Sequence, residues 1–225
     1  LDGDLEIMAP SDQGRLYVLN ANGTDYPGGW PYDEPLGSRL TSVALAQIRA
    51  GLEPEIVFGV EDPNHPRVHA FYETADELGG WPNTLEMDWY LYAAPIIDIL
   101  DEGSPDVVVS SRAMAACGWD NFGADLPGWP RDMGTRVHVS AASGDIDADG
   151  RLEVVFCGYS PARLVVFDMG ATVDRSSATP WRWWPMYGYN ALRQGCLACD
   201  ADAVTAVEDA AARPTLNFAP PAPNP

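Results

Sequence analysis

The sequence predicts an all-β fold, a β-propeller with about four visible blades of four antiparallel strands each, and three observations predict it. An acidic-then-apolar run recurs four times: Leu5-Glu6-Ile7-Met8, Pro54-Glu55-Ile56-Val57, Pro105-Asp106-Val107-Val108 and Leu152-Glu153-Val154-Val155. A Trp-Pro marker follows each run in turn, at Trp30-Pro31, Trp81-Pro82, Trp129-Pro130 and Trp184-Pro185. Both markers return about every 50 residues, the length of one four-stranded blade. The segments between them are short β-branched or aromatic runs bounded by Gly, Pro, Ser and Asp, which is strand-and-turn composition. A β-sandwich also needs many short strands but no fixed period, so the regular spacing favours the propeller.

Each unit justifies its strands in the same order. An opening run precedes the acidic marker at residues 40–45, 96–100 and 137–141. The marker then leads into a second run, such as Val107 to Val109 or Val154 to Phe156. A short polar turn follows, for example Ser11-Asp12-Gln13-Gly14 or Asp62-Pro63-Asn64-His65-Pro66. The third run is Leu16-Tyr17-Val18-Leu19, Val68-His69-Ala70-Phe71 or Leu164-Val165-Val166-Phe167. The Trp-Pro segment supplies the fourth strand. The blades fall at about residues 1–35, 36–86, 87–132 and 133–187, so the propeller segment spans 1–187. The first unit lacks its opening strand, and the sequence reads as part of a longer protein that supplies more blades before Leu1. Residues 188–214 form a connector and 215–225 a Pro-rich end.

Charge narrows the function. With 13 Lys plus Arg, all of them Arg, and 33 Asp plus Glu, the formal net charge is −20. A nucleic-acid partner needs a basic footprint, which this chain lacks. No apolar run is long enough for a helical membrane span.

The sharpest chemical motif is Asp145-Ile146-Asp147-Ala148-Asp149-Gly150-Arg151-Leu152-Glu153, which reads D-x-D-x-D-G-x-x-E. Carboxylates at alternate positions converge if the loop wraps a cation. Gly150 permits the sharp turn, Arg151 offers its backbone carbonyl, and Glu153 closes the shell. An oxygen-only set suits Ca²⁺, and the lack of His or Cys disfavours Zn²⁺. An EF-hand places its last acid at position 12 and then enters a helix, whereas here the last acid precedes a strand. Weaker versions occur at Asp2, Asp4 and Glu6 in the first unit and at Asp98, Glu102 and Asp106 in the third. The second unit carries Gln47, Arg49 and Gly51 where acids would stand, so its loop is read as empty.

A blade of this length with this acidic loop before a strand resembles the FG-GAP and VCBS-type repeats, the calcium-loop blades of the integrin alpha-chain propeller and of many secreted bacterial proteins. The resemblance covers residues 1–187 and implies a calcium ion that braces the loop between the first two strands of a blade. It carries over no partner and no catalytic residue. The end of the chain, Thr215 to Pro225, resembles the opening of the C-terminal sorting domains on proteins exported by the type IX route; a plain Pro-rich linker is the other reading.

Remaining signals are weaker. Cys196 and Cys199 form a C-x-x-C, half a zinc site or a local disulfide. Cys117 and Cys157 lie in strand runs and read as buried residues. His65 and His69 bracket Pro66, which excludes the helix that would bring them onto one metal. Trp30, Trp81 and Trp129 read as packing between blades, and the cluster Trp181, Trp183, Trp184, Tyr187 and Tyr189 as core or sugar-stacking surface. The reading is a non-catalytic, calcium-braced propeller segment of a secreted or cell-surface bacterial protein, with a protein or glycan ligand on a propeller face. Alternatives are an accessory propeller of a secreted hydrolase, peptidase or polysaccharide lyase, and a carbohydrate-binding module.

Overall fold

The apolar runs become strands because Val, Ile and Phe at adjacent positions suit a pleated surface, and the Ser, Asp and Gly between them suit hairpin turns. The computed structural model of the chain describes residues 6–49, 51, 53–85, 91, 95–101 and 104–172. Among these residues the fold is all-β, with four antiparallel sheets laid down in chain order.

The first sheet contains β1 (Ile7–Pro10), β2 (Arg15–Leu19) and β3 (Tyr32–Asp33), in that order. The second has a broken opening strand, β4 (Arg39–Leu40) and β5 (Ala44–Ala46), both paired to β6 (Glu55–Glu61). It continues through β7 (Arg67–Phe71) to β8 (Asn83–Thr84). The third is a simple meander of β9 (Ile96–Asp101), β10 (Ser104–Ser110), β11 (Ala115–Trp119) and β12 (Arg131–Asp132). The fourth again splits its opening strand, into β13 (Arg136–Val137) and β14 (Ala142–Gly144), against β15 (Arg151–Ser160), which pairs with β16 (Ala162–Thr172). The closing strand of the first three sheets is the two-residue segment just after Trp-Pro, not the Trp-Pro dipeptide itself.

Equivalent turns use equivalent chemistry. Ser11, Asp62 and Ser111 each begin the central hairpin turn of their sheet. Ser11 Oγ accepts the N–H of Arg15 at 2.9 Å, Asp62 Oδ1 accepts those of Asn64 and His65 at 2.8 Å, and Ser111 Oγ accepts that of Ala113 at 3.2 Å. These side chains satisfy turn N–H groups that no ladder reaches. Asp62 lies on the acid side of its ordinary value: partial desolvation pushes it up, but the bonds from Asn64, Ser38 and His65 outweigh that.

Three cores lie between four sheets. Leu16, Val18 and Trp30 of the first sheet pack on Leu40, Ile56, Phe58, Val60 and Phe71 of the second. Val57, Val68, Ala70 and Trp81 of the second pack on Ile97, Val107, Val109 and Trp119 of the third. Val108, Ala116, Trp129 and Met133 of the third pack on Val137, Leu152, Val154 and Phe156 of the fourth. Adjacent residues of β6 and β10 thus serve opposite cores, as the two-residue period of a strand requires. This is serial stacking of sheets, unlike the two layers of a sandwich.

The Trp of each marker reaches forward into the next sheet. Trp30 lies 6.3 Å from Phe71, Trp81 5.9 Å from Trp119 and Trp129 6.2 Å from Phe167, between ring centroids. All three Trp residues are buried, as the repeat positions predict. The Gly before Trp81 is required by the same approach: a Cβ on Gly80 would stand 1.9 Å from the carbonyl oxygen of Phe122, and its φ is +95°. A buried ion pair ties the first two sheets. Glu34 accepts the N–H groups of Leu36 and Ser38 at 2.9 Å and meets the guanidinium of Arg67.

The cluster Trp181 to Tyr189, Cys196, Cys199, the connector and the Pro-rich end lie outside the described residues. Cys117 is half-buried in β11, but Cys157, read from sequence as buried, is exposed in β15. It stands on the outer face of the fourth sheet, where no described sheet follows. Among the described residues no helix is long and apolar enough to cross a membrane.

Candidate metal centre

The loop of residues 145–150 joins β14 to β15, whose ends are already paired through Gly144 and Glu153. A short loop with tied ends must turn sharply, and it does so through left-handed backbone at Ala148 (φ 64°) and Gly150 (φ 85°). Asp, Ala, Asp and Gly tolerate this run because none carries a branched Cβ.

The turn brings Asp145, Asp147 and Asp149 together. One carboxylate oxygen from each lies within 4.8 Å of the others, and all three residues are exposed. Their remaining contacts are local. Asp145 Oδ2 accepts the N–H of Gly150 at 3.2 Å, Asp147 Oδ1 that of Asp149 at 3.2 Å, and Asp149 Oδ1 that of Arg151 at 2.8 Å. The Arg151 side chain spans Asp149 at 3.8 Å and Asp168 at 3.6 Å. One guanidinium held this far away leaves most of the triad's mutual repulsion in place. Three hard anionic oxygen donors converging on one point fit a cation such as Ca²⁺ or Mg²⁺.

Glu153 is engaged with the backbone of the loop. It is buried, and its Oε2 accepts the N–H of Ile146 at 2.7 Å. It is not among the side chains that converge with the triad. The second sheet shows the same cap without the acids: Glu55 Oε2 accepts the N–H of Ile48 at 2.6 Å, again seven residues upstream. The final acid of the repeat is therefore a loop cap, present whether or not the loop is acidic. Sequence reasoning missed this, although the presence of Glu55 after a loop with no acid at the three triad positions was the available signal.

In that loop of the second sheet Gln47 Nε2 bonds the carbonyl of Gly51. Arg49, at the position of Asp147, turns away to donate to the Gly79 carbonyl at 2.7 Å and lies 4.1 Å over the Phe122 ring. The loop thus trades ligands for a contact with the next sheet.

The weaker sites are only partly described. Asp2 and Asp4 lie outside the described residues, while Glu6 stands just before β1. In the third sheet Asp98 of β9 lies directly opposite Asp106 of β10, and Asp101 pairs with Ser104. These residues lie on paired strands, and Asp106 is buried; Glu102 lies outside the described residues. His65 and His69 do not converge. His65 sits at an exposed turn 3.7 Å from Asp62, whereas His69 is buried, with Nδ1 2.6 Å from Glu77 Oε1 and its ring stacked on Phe58.

No protein-family profile and no curated protein matches the sequence. Among solved structures, the crystal structure of the computationally designed Ika4 protein overlaps with a TM-score of 0.47 at 15% identity, over 72% of this chain and 84% of that one. At that overlap the fold rests on the chain's own sheets.

Proposed function

We propose that this chain is a calcium-braced β-propeller segment of the FG-GAP and VCBS type, a non-catalytic interaction scaffold on a secreted or cell-surface bacterial protein. Its four sheets are blades, and a protein or glycan partner docks on a propeller face. The observation that carries the reading is the Asp145, Asp147 and Asp149 triad, converged on the loop between the first two strand positions of a sheet. The sheet stacking supports it, since each sheet buries its marker Trp against the next. Bound there, the cation neutralises the triad and stiffens the β14–β15 connection; Glu153 holds the loop's entry through Ile146. Asp145, Asp147 and Asp149 are the ligands, with the Arg151 carbonyl as an added oxygen.

Calorimetric titration with CaCl₂, paired with thermal melting, tests the reading. A ligand that binds only the folded state at 100 times its Kd stabilises by about 2.7 kcal/mol, several degrees for a chain of this size. Asp147→Ala is expected to abolish both the binding heat and the shift while leaving the metal-free melting temperature near that of the parent. A parent protein that melts identically with and without Ca²⁺ would refute the ion's role.

A further inference from the structure

The loops that join β2 to β3, β7 to β8 and β11 to β12 are built the same way. The N–H of Asn20 bonds the Thr24 carbonyl, that of Tyr72 the Asp76 carbonyl and that of Asp120 the Ala124 carbonyl, at 2.8–2.9 Å. Inside each loop the N–H of Gly23, Ala75 or Gly123 returns to the carbonyl of Asn20, Tyr72 or Asp120, at 2.8–3.0 Å. Gly23, Ala75 and Gly123 share a left-handed backbone, with φ of 83°, 67° and 79°. The residue before each of them, Asn22, Thr74 or Phe122, stands at the tip of its turn, and all three are exposed. Thr74 and Phe122 stay exposed with the preceding sheet packed beside them. The N–H of Gly29 in the first sheet bonds the Thr74 carbonyl at 3.1 Å, and Gly80 of the second sheet abuts the Phe122 carbonyl. Exposure of the tip side chain is therefore a property of the turn and does not require a bare sheet.

Asn22, Gly23 and Thr24 are the only Asn-x-Ser/Thr triplet in the sequence, which is the acceptor pattern for an N-linked glycan. The turn also orients the acceptor amide. One amide atom of Asn22 receives both the Thr24 N–H at 2.9 Å and the Thr24 hydroxyl at 2.7 Å. A backbone N–H can only donate, so that atom is Oδ1, and Nδ2 makes no hydrogen bond among the described residues. Thr24 Oγ1 is held in turn by Asn20 Nδ2 at 3.0 Å. We propose that Asn22 is the acceptor of an N-linked glycan. In the transfer, Nδ2 attacks C1 of an oligosaccharide carried on a lipid pyrophosphate. The Nδ2–C1 bond forms and the bond from C1 to the pyrophosphate oxygen breaks. The lipid pyrophosphate leaves with the electron pair, and the Nδ2 proton passes to a carboxylate of the oligosaccharyltransferase. Because the tip points away from every core, the sugar is added with no change in sheet packing. The inference goes beyond the scaffold role and uses no part of the metal site.

The test incubates the folded full chain with a single-subunit oligosaccharyltransferase that reads Asn-x-Ser/Thr alone, together with its lipid-pyrophosphate-linked oligosaccharide. An unrelated acceptor peptide in the same reaction confirms turnover. Intact mass and glycopeptide sequencing are expected to show a single glycan per chain, on Asn22. Asn22→Gln and Thr24→Ala abolish the mass increment. Thr24→Ser keeps the hydroxyl and is still modified, which a purely structural role for Thr24 does not predict. Asp147→Ala is modified like the parent, so this result stands apart from the calcium reading. A folded chain that gains no glycan while the peptide turns over overturns the proposal. So does a mass increment that persists in Asn22→Gln or in Thr24→Ala, because the sugar would then sit elsewhere or ignore the triplet.

Discussion

At the scale of single residues, two glycines of the repeat marker separate backbone strain from steric contact. Gly80 and Gly128 both have positive φ, but only Gly80 has a described neighbour, the Phe122 carbonyl oxygen, where a Cβ would stand. Gly80→Ala must therefore shift the turn of the third sheet, at a cost of about 2 kcal/mol or more, whereas Gly128→Ala carries only the left-handed strain of about 1 kcal/mol. Urea midpoints of the two variants check the order. Glu55 makes a second test. Burial pushes its carboxyl above the usual 4.5, against the N–H groups of Ile48 and Arg49, which pull it down. A raised folded-state value means that its favourable contribution is complete below 4.5 and is lost as pH climbs through the folded value. Glu55→Gln keeps an oxygen for Ile48 and removes the buried charge. It should melt above the parent at pH 7, with the advantage gone below about pH 4.5; a constant difference across that range would count against the burial argument. The two capping glutamates also mark where local reading stops. Glu153 ends an acidic motif and is read from it as a ligand, and only the structure shows that its Oε2 also accepts the Ile146 N–H.

At the scale of elements, the marker Trp is the joint between neighbouring sheets. Trp81→Ala removes a buried ring that meets Trp119 edge-on and opens a cavity in the core between the second and third sheets. The expected loss is about 3–5 kcal/mol, read as a lower denaturant midpoint at unchanged m-value. Strands were legible because β-branched runs and turn residues act locally. Val107 to Val109 and Ile56 to Val60 are apolar without alternation, and both segments are buried on their two faces. The hairpin of β9 and β10 was less legible. Asp98, Glu102 and Asp106 carry acids at loop-like spacing, but the backbone pairs Asp98 with Asp106 across a ladder. Which of two local solutions wins depends on the register of the whole hairpin.

At the scale of the whole molecule, the charge of −20 acts as a field rather than a contact. Self-repulsion of that size destabilises the compact state and is screened within about 8 Å at physiological salt. Raising NaCl should therefore lift the melting temperature of the parent and of Asp147→Ala alike. CaCl₂ at matched ionic strength should lift the parent further and leave the variant on the NaCl curve; coincident curves for the parent would reduce calcium to a screening ion. Strand order, turn positions, the Trp markers and the acid triad were determined by the sequence itself, because each depends on residues a few positions apart. Tertiary structure alone decided that Glu153 caps the loop, that Arg49 leaves its loop for Phe122, and that Cys157, Leu164 and Val166 stand bare. The physical reason is that Val154-Val155-Phe156 codes for a two-faced strand in the same way whatever its neighbours. Burial of each face depends on whether a neighbouring sheet packs against it.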